Sequence, residues 1–246
     1  MFKPETKKNL RSKANKLFDV AERKGFVPPR ETFELDYHKD FPALIELEQN
    51  YEVIKAEVIS LLENPEGLVD LAALNPKYAG PGGITWKTFI FKHESWNEKN
   101  CERCPKTAKL IAQIPGVSNA FFSVLGANQH IAPHWGFYRG FIRYHLGVLI
   151  PNDNVDSSCY LRINTNREEN AQRNTALVER GEKYYWKPGQ GVLFDDMYLH
   201  DAENGSNQVR VVLWLDLKKK FPVYLTTVNN FVIRHFGPIP NKTVGT

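Results

Sequence analysis

The sequence predicts a mainly β protein with flanking helices, and three observations carry that reading. From Trp86 onward the chain is a succession of short β-rich runs: "TWKTFIF", "AFFSVLG", "FIRYHLGVLIP", "CYLRIN", "KYYWKPGQGVLFDD" and "QVRVVLWLDL". Glycine, asparagine and proline turns separate them, as in an antiparallel barrel or jelly roll. Helical patterns stand almost wholly ahead of this region, with one short helix, "CPKTAKLIAQIP", between the first two strands.

Taken in order, residues 1–30 form the first piece. Nine Lys and Arg face three acids there, and Leu10, Ala14, Leu17, Phe18 and Ala21 recur at helical spacing. This is a basic amphipathic helix ending near Gly25, with Pro28 and Pro29 beyond it. Such a helix packs on the body through its apolar stripe, or it touches an anionic membrane surface or an acidic partner. Residues 42–63, "PALIELEQNYEVIKAEVISLLE", predict a second helix opened by Pro42. "NPEG" and "NPKYAGPGG" read as loops. The core domain then runs over 31–220, and 221–246 is a weakly patterned C-terminal extension.

Bulk properties narrow the class. The 246 residues suffice for a sizeable core, and a net charge of +4 is too small to argue for nucleic acid. No apolar run approaches a membrane span, and "MFKPETKKNLRSK" carries no secretory h-region, so a cytoplasmic protein is expected, at most peripheral at the inner face of a membrane. Of the three cysteines, Cys101 and Cys104 form "CERC"; with no second pair to complete a zinc site, reduced thiols are expected.

Polar residues then break the strand pattern. Alternation in "FIRYHLGVLI" puts Ile142, Tyr144, Leu146 and Val148 on one face and Arg143 and His145 on the other. In "QVRVVLWLDL", Arg210 shares a face with Val212 and Trp214. Singly, such arginines would pair with core carboxylates such as Asp195 or Asp196. Two of them with His145 suggest an anion-binding pocket instead, since guanidinium grips a carboxylate through two parallel hydrogen bonds. His134, in "PHWG", and His200, 66 residues later in "FDDMYLHDA", are the metal candidates. Two imidazoles at the mouth of a small barrel suit Fe(II), usually completed by a carboxylate. His130 is read as a loop residue.

These motifs resemble the aspartyl/asparaginyl β-hydroxylase family of Fe(II)- and 2-oxoglutarate-dependent oxygenases, which includes bacterial lipid A acyl-chain hydroxylases. The resemblance runs over roughly residues 33–217, from "FPALIELEQNYEVIKAE" through "IAPHWGFYRGFIRYHLGVLIP" to "GQGVLFDDMYLHDAEN" and "RVVLWLDL". It implies a double-stranded β-helix, iron on His134 and His200, and the far carboxylate of 2-oxoglutarate on Arg210. Ser123, Arg143 and His145 match residues lining the cosubstrate pocket, with Trp86 as another wall. The implied reaction consumes O2 and 2-oxoglutarate, gives succinate and CO2, and hydroxylates an unactivated C–H of a peptide Asp or Asn or of a lipid acyl chain. Gly136 stands where many such oxygenases carry an acidic ligand. Arg139 and Phe141 depart from the peptide-hydroxylase branch and weigh against a peptide substrate. Two rivals are a 2-oxoglutarate-dependent halogenase, permitted by Gly136, and a non-catalytic cupin-like binding protein.

Overall fold

A computed structural model describes residues 4–28, 30–71, 85–93 and 95–236. The loop expected at 75–83 and the chain from 237 lie outside them. Helix α1 spans Pro4–Arg23. It buries Ala14, Phe18 and Ala21, residues one helical turn apart on one face, whereas Leu17 is turned outward. It ends as Gly25 takes φ +74, which lets the Phe26 N–H reach the Ala21 carbonyl at 2.9 Å.

The helix expected over 42–63 is divided. A 3-10 turn over Pro42–Leu44 leads into α2 (Ile45–Gln49), and α3 (Tyr51–Glu63) follows. The break falls at Asn50, whose side-chain amide donates to the Glu46 carbonyl at 2.8 Å and so competes with the helical ladder. Beyond it come β1 (Leu68–Asp70), β2 (Trp86–His93), β3 (Ser95–Trp96), α4 (Glu98–Arg103) and α5 (Pro105–Ala112). The remaining strands are β4 (Val117–Leu125), β5 (Gln129–His134), β6 (Phe141–Leu149), β7 (Cys159–Asn164), β8 (Glu182–Tyr185), β9 (Gly191–Phe194), β10 (Leu199–Asn204) and β11 (Arg210–Lys218). Helix α6 (Arg167–Ala171) lies between β7 and β8, and α7 (Val223–Phe236) closes the described chain.

Among the described residues the strands form two antiparallel sheets. The larger has the order β1-β2-β4-β11-β6-β9, with β3 paired onto β2; the smaller is β5-β10-β7-β8. Stacked face to face, they make a double-stranded β-helix, a jelly roll with flanking helices. The larger sheet is covered on both faces. Outside, Leu47, Ile54 and Val58 of α2 and α3 pack on Ile142, Tyr144, Leu146 and Leu213. Inside, Trp86, Leu125, Phe194 and Val212 meet Ile131, Leu161 and Ile163 of the smaller sheet. Double coverage explains why "FIRYHLGVLI" reads as almost continuously apolar.

A third cluster, Ala14, Phe18, Ala21, Tyr138, Phe141, Leu225 and Val232, joins α1, α7 and the loop before β6. Burying a ring such as Phe18 is worth about 3–5 kcal/mol against truncation. The N-terminal helix is therefore fastened to the body. Arg139 and Phe141 belong to this junction: Arg139 pairs with Glu22 at 2.8 Å and Phe141 lies in the third cluster. Their departure from the peptide-hydroxylase pattern thus reports how α1 is held, and the substrate inference drawn from it loses its basis.

Strands β1, β3, β5 and β10 and helices α4, α6 and α7 escape the sequence reading. β5 ("QHIAPH") and β10 ("LHDAEN") are short and polar, and their burial is made possible by partners distant in sequence. Asp201 of β10 is fully buried because Arg162 of β7 donates to it at 2.6 Å and His130 of β5 contacts it at 2.9 Å. His130 is accordingly a strand residue with an ionic partner, not a loop residue.

Candidate active site

Trp86, Ser123, His134, Arg143, His145, His200 and Arg210 all line one cavity between the two sheets. Ile131, Leu161, Trp186, Phe194, Ala202 and Trp214 complete its wall. Residues up to 124 positions apart are brought together because β2, β4, β11 and β6 are neighbours in one sheet, and β5 and β10 are neighbours in the other.

His134 and His200 stand directly opposite each other on β5 and β10. Their ring centroids are 4.2 Å apart. A register shift between His200 and Ala202 interrupts the ladder there, as bulges do where a side chain must be re-aimed. Each Nδ1–H donates to a main-chain carbonyl two residues back, Ala132 at 2.8 Å and Tyr198 at 2.7 Å. That fixes the tautomer and leaves the lone pair on Nε2, the arrangement a metal requires of histidine. Burial lowers the pKa of both, so both rings are neutral at physiological pH.

Gly136 provides no ligand and has no room for a side chain. A Cβ there would stand 2.6 Å from the carboxylate of Asp196 and 2.7 Å from its carbonyl oxygen, to which Gly136 N–H donates. The Asp196 carboxylate thus occupies the volume that an acid at 136 would fill. Burial pushes the Asp196 carboxyl up to about 6, against the opposing pull of Arg143.

The two cavity arginines differ in their company. Arg143 is held by Asp196 at 2.8 Å and by Asp216 at 2.9 Å, and its guanidinium lies 3.8 Å from the ring centroid of Trp214. Its charge is therefore met by protein carboxylates, as the structural reading of the strand pattern expects, while it still lines the cavity. Arg210 has no such partner. It is buried at the start of β11 over the ring of Trp186, 4.6 Å away, and its Nε makes no hydrogen bond. Among the described residues no carboxylate lies within ion-pair distance of it. Burial lowers its pKa to about 10, so it stays charged at neutral pH.

Further unsatisfied groups face the same space. Both ring nitrogens of His145 are buried without partners, between Phe194 at 4.9 Å and Trp214 at 5.0 Å. Burial, then Arg143 and Arg210, hold its pKa well below the usual value, so it is neutral. The Trp186 indole N–H is also unpartnered. Ser123 accepts from the Trp86 indole at 2.9 Å across the β2–β4 pair. Orphaned buried donors around a lone guanidinium fit an anionic ligand with several acceptor oxygens, and the adjacent histidine pair fits a metal.

Sequence reasoning missed Trp186, Asp196 as an occupant of the Gly136 volume, and Asp216. Asp216 was within reach, since alternation from Arg210 through Val212 and Trp214 places it on the cavity face. Asp195, the other carboxylate considered, instead takes Lys219 at 2.7 Å.

Comparison with known proteins bears on the family of the chain. The profile described as Aspartyl/Asparaginyl beta-hydroxylase matches residues 48–220. An ornithine lipid ester-linked acyl 2-hydroxylase of Rhizobium tropici is 29% identical over 181 residues, covering 73% of this chain and 58% of that protein. The human aspartyl/asparaginyl beta-hydroxylase is 23% identical over 177 residues, covering 70% of this chain and 20% of that protein. The chain thus spans less than two thirds of the length of either relative. A Trichoplax adhaerens prolyl hydroxylase structure aligns over 94% of this chain and 97% of its own, at 10% identity and a TM-score of 0.49. With most of its length matched by the profile, the chain belongs to the aspartyl/asparaginyl β-hydroxylase family.

Proposed function

We propose that this protein is an Fe(II)- and 2-oxoglutarate-dependent hydroxylase acting on a lipid acyl chain. The observation that carries the reading is Arg210: a buried, charged guanidinium with no carboxylate beside it among the described residues, in the same cavity as a neutral histidine pair. Burying an unpaired charge costs several kcal/mol, which a bound carboxylate offsets. His134 and His200 would hold the iron through Nε2, and Arg210 the far carboxylate of 2-oxoglutarate. His145, Ser123 and Trp186 would offer hydrogen bonds to its remaining oxygens, and Trp86 would orient Ser123. Bound there, iron and 2-oxoglutarate supply the oxidising chemistry that inserts oxygen from O2 into an unactivated C–H, with succinate and CO2 as coproducts.

The chain's own groups orient and shield. Arg143 fixes Asp196 in the volume left by Gly136, and Phe194, Trp214 and Leu161 exclude bulk water. The lipid assignment rests on the Rhizobium tropici relative, an acyl 2-hydroxylase of a lipid whose match covers 73% of this chain.

The test is succinate formation by iron-loaded protein with 2-oxoglutarate, beside His134→Ala and Arg210→Gln variants. Turnover lost in both supports the reading. Failure of the parent protein to bind either iron or 2-oxoglutarate would sink it. Stimulation by acyl-lipid headgroup classes, against Asp- and Asn-containing peptides, then separates the two substrate classes.

A further inference from the structure

The outward face of α1 has a composition that its sequence conceals. Its two described acids are both engaged in ion pairs. Glu22 takes the buried ammonium of Lys219 at 2.9 Å and the guanidinium groups of Arg139 and Arg167, both at 2.8 Å. Asp19 takes Arg167 at 2.7 Å and Arg23 at 2.9 Å. With the acids occupied, the outer face presents Lys13, Lys16, Arg23 and Lys24, all exposed. Between and beside these cations stand Leu17 at 44% exposure, Val20 at 39% and Phe26 at 59%.

Exposed apolar residues also stand on the elements that pack against α1. Phe221 stacks on Phe18 at 4.5 Å, and two residues later Val223 and Tyr224 emerge exposed at the start of α7. On the other side, Asn15 donates to the Phe137 carbonyl and accepts from the Arg139 N–H, both at 2.9 Å. Phe137 is itself exposed beneath Arg11, in the loop that leaves His134. Both α1 and α7 lie outside the stretch shared with the family, residues 48–220.

We infer that this face seats the protein on an anionic phospholipid surface, with α1 lying in the interface plane. Cations alone call for an anionic partner. Apolar side chains interspersed with cations along one helix face suit a fluid interface, whereas a protein partner would need packed pockets for its anchoring residues. The Asn15 bonds hold the helix to the loop after His134, so a bilayer under α1 lies beside that loop. The inference stands on the surface alone and is independent of the proposed reaction.

Deleting the helix is no test, because it would strip Glu22 from Lys219 and Phe18 from the third core. The experiment is sedimentation of the full chain with vesicles of equimolar phosphatidylglycerol and phosphatidylcholine, and with phosphatidylcholine alone. The parent protein should sediment with the anionic vesicles only, and less so as salt is raised. The triple variant Lys13→Gln, Lys16→Gln, Lys24→Gln should lower partitioning about fivefold per charge, roughly a hundredfold in all. The double variant Leu17→Ser, Phe26→Ser should weaken it as well, with an unchanged thermal midpoint showing that the fold is intact. Protein that stays in the supernatant with anionic vesicles, or a triple variant that sediments like the parent, overturns the inference.

Discussion

Arg143 and Arg210 sit on adjacent strands of one sheet, face one cavity and are both buried, yet their surroundings differ. Arg143 is enclosed by Asp196, Asp216 and the Trp214 ring. Among the described residues, Arg210 has the Trp186 ring and an orphaned Nε, with no carboxylate beside it. The fold completes the first charge and leaves the second open. A buried charge with its carboxylates is structural equipment; one without them marks where a ligand's charge belongs. The smaller sheet repeats the first case, with Arg162 held by Asp201 and Glu179.

The comparison is most sharply tested by removing each arginine. Arg143→Ala leaves Asp196 and Asp216 buried without their cation and should cost about 3–5 kcal/mol in urea unfolding. Arg210→Met removes a charge that has no partner, so ligand-free stability should stay level or rise. Equal losses from both would erase the distinction.

Next in size is the effect on the cosubstrate. Arg210→Lys keeps the charge but loses the two-pronged grip, and should raise the calorimetric Kd for 2-oxoglutarate by at least about thirtyfold. An unchanged Kd would take Arg210 out of the site. His145→Leu extends the same logic to a neutral group. Two unsatisfied nitrogens disappear, so thermal stability should hold or improve by up to about 1 kcal/mol while 2-oxoglutarate binding weakens.

The smallest effect concerns a pair that the fold has completed. The hydrogen bond to Asp201 raises the His130 pKa above its ordinary 6.5. The stabilisation from protonated His130 is therefore fully present below about pH 6.5 and is lost as pH rises through the raised value. Nearly half of His130 is exposed, so solvent screening keeps the effect under about 1 kcal/mol. A His130→Gln variant should flatten that segment of the stability–pH curve, and an unaltered slope would remove His130 as its source.

Much of the site was legible because its residues violate strand alternation locally. Arg143, His145 and Arg210 stand out against apolar neighbours, and no three-dimensional information is needed to see them. The strands bearing the histidines were harder. "QHIAPH" and "LHDAEN" carry no apolar run, and their burial depends on Arg162 and His130 reaching Asp201 from other strands. Likewise, Leu17 fits the apolar stripe of α1 by spacing, but the body covers only the ridge of Ala14, Phe18 and Ala21.

By itself the sequence determined the mainly β class, most of the strands, the N-terminal helix and the out-of-place Arg143, His145 and Arg210, since each follows from local periodicity or from a residue type out of place. Trp86 and Ser123 were reached only through the family resemblance. Tertiary structure alone decided which arginine is satisfied, which cations the acids of α1 pair with and what fills the space beside Gly136. Those questions turn on pairings between residues as much as 197 positions apart, as Glu22 and Lys219 show. A one-dimensional pattern carries the demand of a buried charge for a partner, and only the packed sheets reveal whether the chain supplies one.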